Sequence, residues 1–279
     1  MSEKYIGIDI GGTSARIAEF ESLESDKIER RQDFKISGRY EEDLKRLIDS
    51  IKKLVGDDKA AGIGLGVAGE HAPDRSRLLH SAHLKDWGEK PIRDDLVSEF
   101  DCPVELLNDA EAAAWAEAAF GGHEEDFWFL TWGTGLGGSI VEQRPGGPHV
   151  VASEPGHHVI CWEESGPLCN CGRRGCFESY VGGAYLERHY GKPPAELSDE
   201  EWNEVTDWFA RGLYNLVRIY PVGEAVLGGG VTDKQSRHLP EIERKTNEHL
   251  KNVGTVKVSK ASHGEDAGVV GALASLRQD

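Results

Sequence analysis

The sequence has no apolar run approaching the ~20 residues a helix needs to span a bilayer. Its first ten residues carry no basic stretch followed by an apolar one. Neither a membrane span nor a secretory leader is expected, and the expected location is cytoplasmic. Basic residues are in deficit, with 32 Lys and Arg against 49 Asp and Glu, giving a formal charge of −17 with His neutral. Such a field repels polyanions, so neither nucleic acid nor an anionic membrane is expected as a partner. No Gly-Lys-Ser or Gly-Lys-Thr occurs, which excludes a Walker phosphate loop. There is also no Pro-, Gly- or Ser-rich linker to mark a domain boundary by composition. Aromatic residues, in contrast, are well supplied, with seven Trp, seven Tyr and eight Phe in 279 residues. The chain can therefore bury a core, as one large domain or two ordinary ones.

Periodicity gives the organisation. Tyr5 to Ile10 is an apolar, β-rich run followed at once by Gly11-Gly12-Thr13 and a second run from Ala15 to Phe20, which reads as a hairpin. Glu21 to Arg31 reads as a turn region. Tyr40 to Val55 has helical spacing in Leu44, Leu47, Ile48, Ile51, Leu54 and Val55. A strand is expected at Ala61 to Val67, then a helix from Pro91 to about Phe100, a strand from Pro103 to Leu107 and an alanine-rich helix from Asp109 to Phe120. The second half begins in the same way, with a strand from Phe127 to Trp132, a glycine turn and a strand through Ile140 and Val141. Further helices are expected over roughly Glu201 to Tyr220, Leu239 to Lys251 and Ala267 to Leu276, with a short strand at Ala225 to Leu227. The repeated strand-turn-strand start suggests a duplicated α/β architecture.

Those two turns are the first candidate site. Glycines at 11 and 12 remove the Cβ atoms that would keep a ligand from the backbone, and Thr13 adds a hydroxyl. Asp9, at the strand end, is placed to hold Mg²⁺ beside phosphates through water. Alone, this turn is equally consistent with an ordinary hairpin. Gly133-Thr134-Gly135, backed by Gly137 and Gly138, offers the same chemistry again, and the pair favours phosphate binding. Gly133, Gly135 and Gly138 have Gly-x-Gly-x-x-Gly spacing, but Ser139 to Glu142 reads as a strand where a dinucleotide-binding motif needs a helix. Gly228-Gly229-Gly230 follows a strand and could let an adenosine lie against bare backbone, or be a plain loop.

Asn108-Asp109 stands between a strand and a helix. Either residue can cap the helix N-terminus, worth ~1 kcal/mol. At a strand's carboxyl end, Asp109 can also take the proton of an attacking hydroxyl, with Asn108 orienting the acceptor. Five cysteines make an odd number, and three of them, Cys169, Cys171 and Cys176, fall within eight positions among Gly and Arg. With His157 upstream they make a closed Cys₃His set suited to structural Zn²⁺, with His158 as a rival ligand. Unligated buried thiols are the alternative. Cys102 and Cys161 read as isolated core residues, and Glu154 and Glu178 flank the cluster as candidate ligands for polyhydroxylated molecules.

Asp9 to Thr13, Asn108-Asp109, Gly133 to Gly138, Glu154 to His157 and Cys169 to Glu178 together resemble the ROK family of repressors, open reading frames and sugar kinases. The resemblance covers nearly the whole chain, and Cys-x-Cys-Gly-x-x-Gly-Cys-x-Glu is its most specific mark. It implies two actin-like (RNase H-like) α/β domains with a cleft between them, here 1–109 completed by 265–279, and 110–264 carrying the zinc loop. It implies a hexose kinase using ATP with Mg²⁺, a structural Zn²⁺, sugar and ATP as small-molecule partners, and a homodimer. Asp109 becomes the base for the sugar 6-hydroxyl. Asn108, Glu154, His157 and Glu178 fall on the sugar; Gly11, Gly12, Thr13, Gly133, Thr134 and Gly135 on the phosphates; Gly229 and Gly230 near the adenosine. His157, Cys169, Cys171 and Cys176 become the zinc ligands.

Three positions depart from the family pattern. Glu111 stands where Asn is frequent and could alter cleft charge or face solvent; Gly66-Val67-Ala68-Gly69 replaces Gly-Val-Pro-Gly; and His83-Leu84 stands where Asn-Leu is common. Gly69 and His83 thereby bear on which sugar fits. Glucose is the expected substrate, an N-acetylhexosamine (N-acetylmannosamine or N-acetylglucosamine) the alternative. A sugar-responsive regulator without catalysis is disfavoured by the charge and by a first strand already under way at Tyr5.

Overall fold

The computed structural model of the chain describes residues 3–81 and 83–277. Residues 1, 2, 82, 278 and 279, which fall within the expected domain bounds, lie outside the described residues. The first half runs β1 (Glu3–Ile10), β2 (Ser14–Phe20), β3 (Arg30–Lys35), α1 (Tyr40–Val55), β4 (Lys59–Val67), β5 (Glu70–His71), β6 (Leu78–His80), α2 (Ile92–Phe100), β7 (Val104–Asn108) and α3 (Asp109–Phe120). The second runs β8 (Phe127–Trp132), β9 (Leu136–Arg144), β10 (Gly147–Ser153), α4 (Glu178–Val181), α5 (Gly183–Tyr190), α6 (Asp199–Ile219), β11 (Glu224–Gly228), α7 (Gly230–Gln235), α8 (Leu239–His249), β12 (Lys257–Lys260) and α9 (Ala267–Ala274). No helix among the described residues is long and apolar enough to cross a membrane.

The chain divides into two compact units, one reaching Gly122 and resuming at Glu265, the other spanning His123–Gly264. The first unit has a sheet ordered β3-β2-β1-β4-β7, with antiparallel pairs at the β3 side and parallel pairs from β1 to β7. The second has β10-β9-β8-β11-β12 with the same alternation. The duplicated plan read from the two strand-turn-strand starts is thus present in the sheets.

Chemistry explains the elements. β1 is central, so Ile6, Ile8 and Ile10 are fully buried and the strand reads as nearly continuous apolar sequence. α1 buries Leu47, Ile51, Leu54 and Val55 on one face, with Glu41, Glu42 and Asp43 in its first turn and Lys52 and Lys53 in its last, matching the helix dipole. α3 lacks such a stripe because it is sandwiched. A Cβ added to Gly271 of α9 would lie 1.5 Å from the Ala112 carbonyl oxygen of α3. Only glycine and alanine let these helix backbones approach so closely. This contact makes α3 part of the first unit, whereas the sequence reading ended that domain at residue 109. In the second unit, Trp132 packs at 6.0 Å from Trp202 and 4.6 Å from Phe209, which meets Phe177 at 5.2 Å. Truncating the buried Phe209 to Ala would cost about 3–5 kcal/mol.

The segment expected as a turn from Glu21 to Arg31 takes in the first two residues of β3, and β3, β5, β6, β10 and β12 were not expected as strands. Ser198 caps α6 with a reciprocal capping box through Glu201, so that helix starts two residues earlier than its apolar spacing suggested.

Candidate functional site

In the first unit the hairpin of β1 and β2 closes through Gly11, whose N–H donates to the Ser14 carbonyl at 3.0 Å. The register pairs Asp9 with Arg16 across the hairpin. Arg16 Nη1 donates to Asp9 Oδ2 at 3.0 Å. Burial still outweighs that ion pair and holds the Asp9 carboxyl above its ordinary value. A Cβ on Gly12 would lie 2.6 Å from His83 Cβ, so the glycine turn and the His83 loop touch. Thr13 and His83 are both exposed.

Asn108, at the end of β7, takes over the capping of α3. Its Oδ1 accepts from the Ala110 N–H at 2.9 Å, while its Nδ2 donates to the Gly69 carbonyl at 2.9 Å. Gly69 has φ +144°, and a Cβ there would meet the His80 carbonyl oxygen at 2.4 Å, so this turn requires glycine. With Asn108 as cap, Asp109 is the first helical residue and its side chain is exposed. Surrounding protein first, and the negative charge of Asp9 second, hold its carboxyl above the ordinary value, against a smaller opposing pull from backbone N–H groups at the helix start. Exposure screens these effects. Asp9, Gly11 to Thr13, Gly69, His83, Asn108 and Asp109 all belong to this unit, with Gly12 against His83 and Asn108 bonded to Gly69.

Glu111 does not face solvent. It is buried, and its Oε1 accepts from Arg75 Nη2 at 2.7 Å.

In the second unit Gly133-Thr134-Gly135 joins β8 to β9, so a strand follows the glycines and the dinucleotide-binding alternative is absent. The Gly133 and Thr134 carbonyls accept from the N–H groups of Gly183 and Ala184 at 2.9 Å each. Glu178 Oε2 accepts from the Leu136 N–H at 2.9 Å, and a Cβ on Gly135 would lie 2.3 Å from that oxygen. Gly229 and Gly230 do not form a plain loop: Gly229 precedes α7, and a Cβ on Gly133 would lie 3.9 Å from the Gly230 nitrogen.

The cysteine cluster lies in the same unit. One ligand atom from each of His157, Cys169, Cys171 and Cys176 falls within 4.8 Å of the others. His157 Nδ1 is 3.4 Å from Cys169 Sγ, and Cys171 Sγ is 3.6 Å from Cys176 Sγ. A tetrahedral Zn²⁺ with bonds of ~2.3 Å to sulfur and ~2.0 Å to nitrogen needs about 3.5 Å and 3.8 Å for such edges, so the donor set fits. Burial pushes the Cys169 thiol up and the Cys176 thiol to about 12. A bound divalent cation would supply the charge that deprotonates them. His158 is no rival, because its Nδ1 donates to the Pro155 carbonyl at 2.6 Å and its ring packs edge-on against Phe177. Glu178 Oε1 lies 3.8 Å from Cys169 Sγ, which brings the glycine turn and the candidate metal ligands within one carboxylate's span. Glu154 is exposed, and its carbonyl accepts from the His157 N–H at 3.1 Å.

Cys102 is buried as expected, but Cys161 is only half-buried. It lines a pocket of about 340 Å³ with Tyr180, Tyr185, Tyr190 and Trp208, which contains none of the site residues read from sequence. The sequence reading missed Arg16 and Arg75. Arg16 had a signal: in a hairpin closed around Gly12 and Thr13 it falls opposite Asp9. Arg75, 36 residues from Glu111, had none.

The ROK family model matches residues 5–279. The chain is 27% identical over 314 residues to the glucokinase of Thermotoga maritima, covering 99% of this chain and 98% of that one. It is 27% identical over 289 residues to the N-acetylmannosamine kinase of Haemophilus influenzae, covering 96% and 94%. The structure of the ROK hexokinase from Thermus thermophilus aligns with a TM-score of 0.83 at 27% identity, over 98% of this chain and 97% of that one. A ROK family glucokinase from Streptomyces griseus, in complex with glucose and AMPPNP, aligns with a TM-score of 0.76 at 27% identity, over 99% and 100%. The two sheets of like order, carried through almost the full length of these structures, are the actin-like ATPase fold of ROK sugar kinases. With the motifs, the sheets and the family model in agreement over nearly every residue, the chain belongs to the ROK family.

Proposed function

We propose that this chain is a sugar kinase of its family, and more specifically an ATP-dependent hexose kinase acting on the 6-hydroxyl of glucose. The observation that carries the reading is the division of labour at the start of α3: Asn108 caps the helix, which leaves the exposed Asp109 carboxylate available for a substrate. Full-length relatives named glucokinase and hexokinase support the substrate class.

In this reading Asp109 accepts the proton of the sugar hydroxyl as its oxygen attacks the γ-phosphorus of ATP. Its raised pKa keeps it a competent base while allowing it to hold that proton. Asn108 orients the acceptor; one N–H of its Nδ2 remains beyond the bond to Gly69. Gly11, Gly12 and Thr13 in one unit, and Gly133, Thr134 and Gly135 in the other, serve the phosphates, with Gly229 and Gly230 beside the adenosine. Mg²⁺ arriving with ATP would spread the phosphate charge, with Asp9 as the carboxylate at the turn. Glu154, His157 and Glu178 hold sugar hydroxyls, Gly69 and His83 shape the sugar's surroundings, and Zn²⁺ on His157, Cys169, Cys171 and Cys176 fixes the loop that bears them. A cytoplasmic homodimer completes the proposal.

The N-acetylmannosamine kinase relative, of equal identity to the glucokinase, sustains a second reading in which an acetamido sugar replaces glucose. A coupled assay of ADP release across hexoses and N-acetylhexosamines, with ATP and with polyphosphate as donors, tests both. Glucose turnover with ATP supports the first. Turnover of N-acetylmannosamine alone selects the second, and no sugar-dependent turnover rejects both.

A further inference from the structure

We propose that Arg75 and Glu111 are a positioning pair that holds Asp109 in place, an inference that rests on the reading of Asp109 as the base. Glu111 lies two residues beyond Asp109 on α3, and its side chain is 6% exposed. A carboxylate so buried needs a partner, and Arg75 Nη2 supplies one at 2.7 Å. The backbone N–H of Asn108 faces the same carboxylate and also stabilises its charge. Glu111 thus reaches back over the first turn of α3 and engages the residue just before Asp109.

Arg75 comes from the tip of the hairpin between β5 and β6. It adopts φ +54°, a left-handed conformation unusual for a side chain of this size. The tip holds it there: the Arg75 N–H donates to the Ala72 carbonyl at 2.8 Å, and the Ala72 N–H to the Arg77 carbonyl at 3.0 Å. Arg93 of α2 adds a bond from Nη1 to the Asp74 carbonyl at 3.1 Å. His71, on the same hairpin, has its pKa lowered to about 4 by burial and by the Arg75 charge.

The same hairpin also approaches α3 at its base, where Asn108 Nδ2 donates to the Gly69 carbonyl. Asp109 therefore sits between two straps, Asn108 to Gly69 on one side and Glu111 to Arg75 on the other. A base displaced by about 1 Å can lose on the order of a hundredfold in rate without any change in its chemistry. The straps fix its backbone on both sides, which a lone helix start does not do.

The test uses the full-length chain with Glu111→Gln, Arg75→Met, the double variant and Arg75→Lys. Each of the first two should lower kcat per folded molecule by roughly tenfold to a hundredfold, with KM for sugar and for ATP within about twofold. The double variant should be no worse than the poorer single one, because both remove the same strap. Arg75→Lys, which keeps the charge, should recover part of the loss. Hydrogen exchange at the Ala110 amide should quicken in Glu111→Gln while exchange in β1 stays unchanged, a readout independent of turnover. Wild-type kcat in both single variants, or losses that track only the unfolded fraction, overturns the positioning role alone. No sugar-dependent turnover by the unaltered chain overturns the reading of Asp109 and the positioning role with it.

Discussion

The two units share a sheet order but brace their glycine turns in different ways. In the first, the hairpin carries a charged pair, Asp9 with Arg16. At the corresponding rung of the second, Thr131 is paired with Gly137, and no charge is present. That turn is held instead by backbone bonds from Gly183 and Ala184 and by Glu178, which lies beside Cys169 of the candidate metal cluster. The difference teaches that one topology can be specialised by its supports: paired and clustered carboxylates at the strand ends of one unit, a carboxylate shared with a candidate metal cluster behind the turn of the other.

The largest expected effect tests that division directly. Asp109→Asn should lower kcat by at least about a hundredfold with sugar binding retained, as loss of a general base implies. Glu178→Gln in the second unit should act mainly on KM. Steady-state kinetics and titration of tryptophan fluorescence measure both, and a larger kcat loss in Glu178→Gln would break the comparison.

Next comes the metal. Cys171→Ser should lower zinc content and lower the thermal midpoint by roughly 2–8 °C, the shift expected for a loss of about one to two kcal/mol. Metal analysis and calorimetry check this, and a purified, unaltered protein without zinc would refute it.

Two glycine substitutions then separate fold from function. Gly11→Ala meets nothing nearer than the Ser14 carbonyl at 3.9 Å, so the fold should tolerate it. A rise in KM for ATP at unchanged thermal midpoint would then report phosphate contact. Gly135→Ala drives a Cβ to 2.3 Å from Glu178 and should disturb both, with KM for ATP up by about tenfold, or ~1.4 kcal/mol.

The smallest effect is electrostatic. The Asp9 charge disfavours ionised Asp109 and raises its pKa. Asp9→Asn removes that charge, so the base form persists to lower pH. The acid limb of kcat/KM should move to lower pH, and movement upward would contradict the pairing.

Much of this was legible because the relevant physics is local. The spacing of Leu47, Ile51 and Leu54 set α1, and the bounds of α3 and β8 follow from an alanine run and an aromatic run. The proximity of His157 to the three cysteines was readable because Cys169, Cys171 and Cys176 lie within a short segment. Two of the missed strands share a cause. β3 (Arg-Arg-Gln-Asp-Phe-Lys) and β12 (Lys-Val-Ser-Lys) are edge strands, where charge guards an open edge and erases the alternation that marks a strand. The role of Asn108 as the cap was open between two adjacent residues that can both do it. The Arg75–Glu111 contact joins segments with no common period, so only the folded hairpin reveals it.

α9 has a consequence for biosynthesis. The second unit is complete at Gly264, but the first still lacks the helix whose Val269 and Ala272 carbonyls press on Gly7 and Gly64 of its sheet. A ribosome that has made the first 122 residues has therefore released a sheet with one bare wall, which must wait through the whole insertion for its cover.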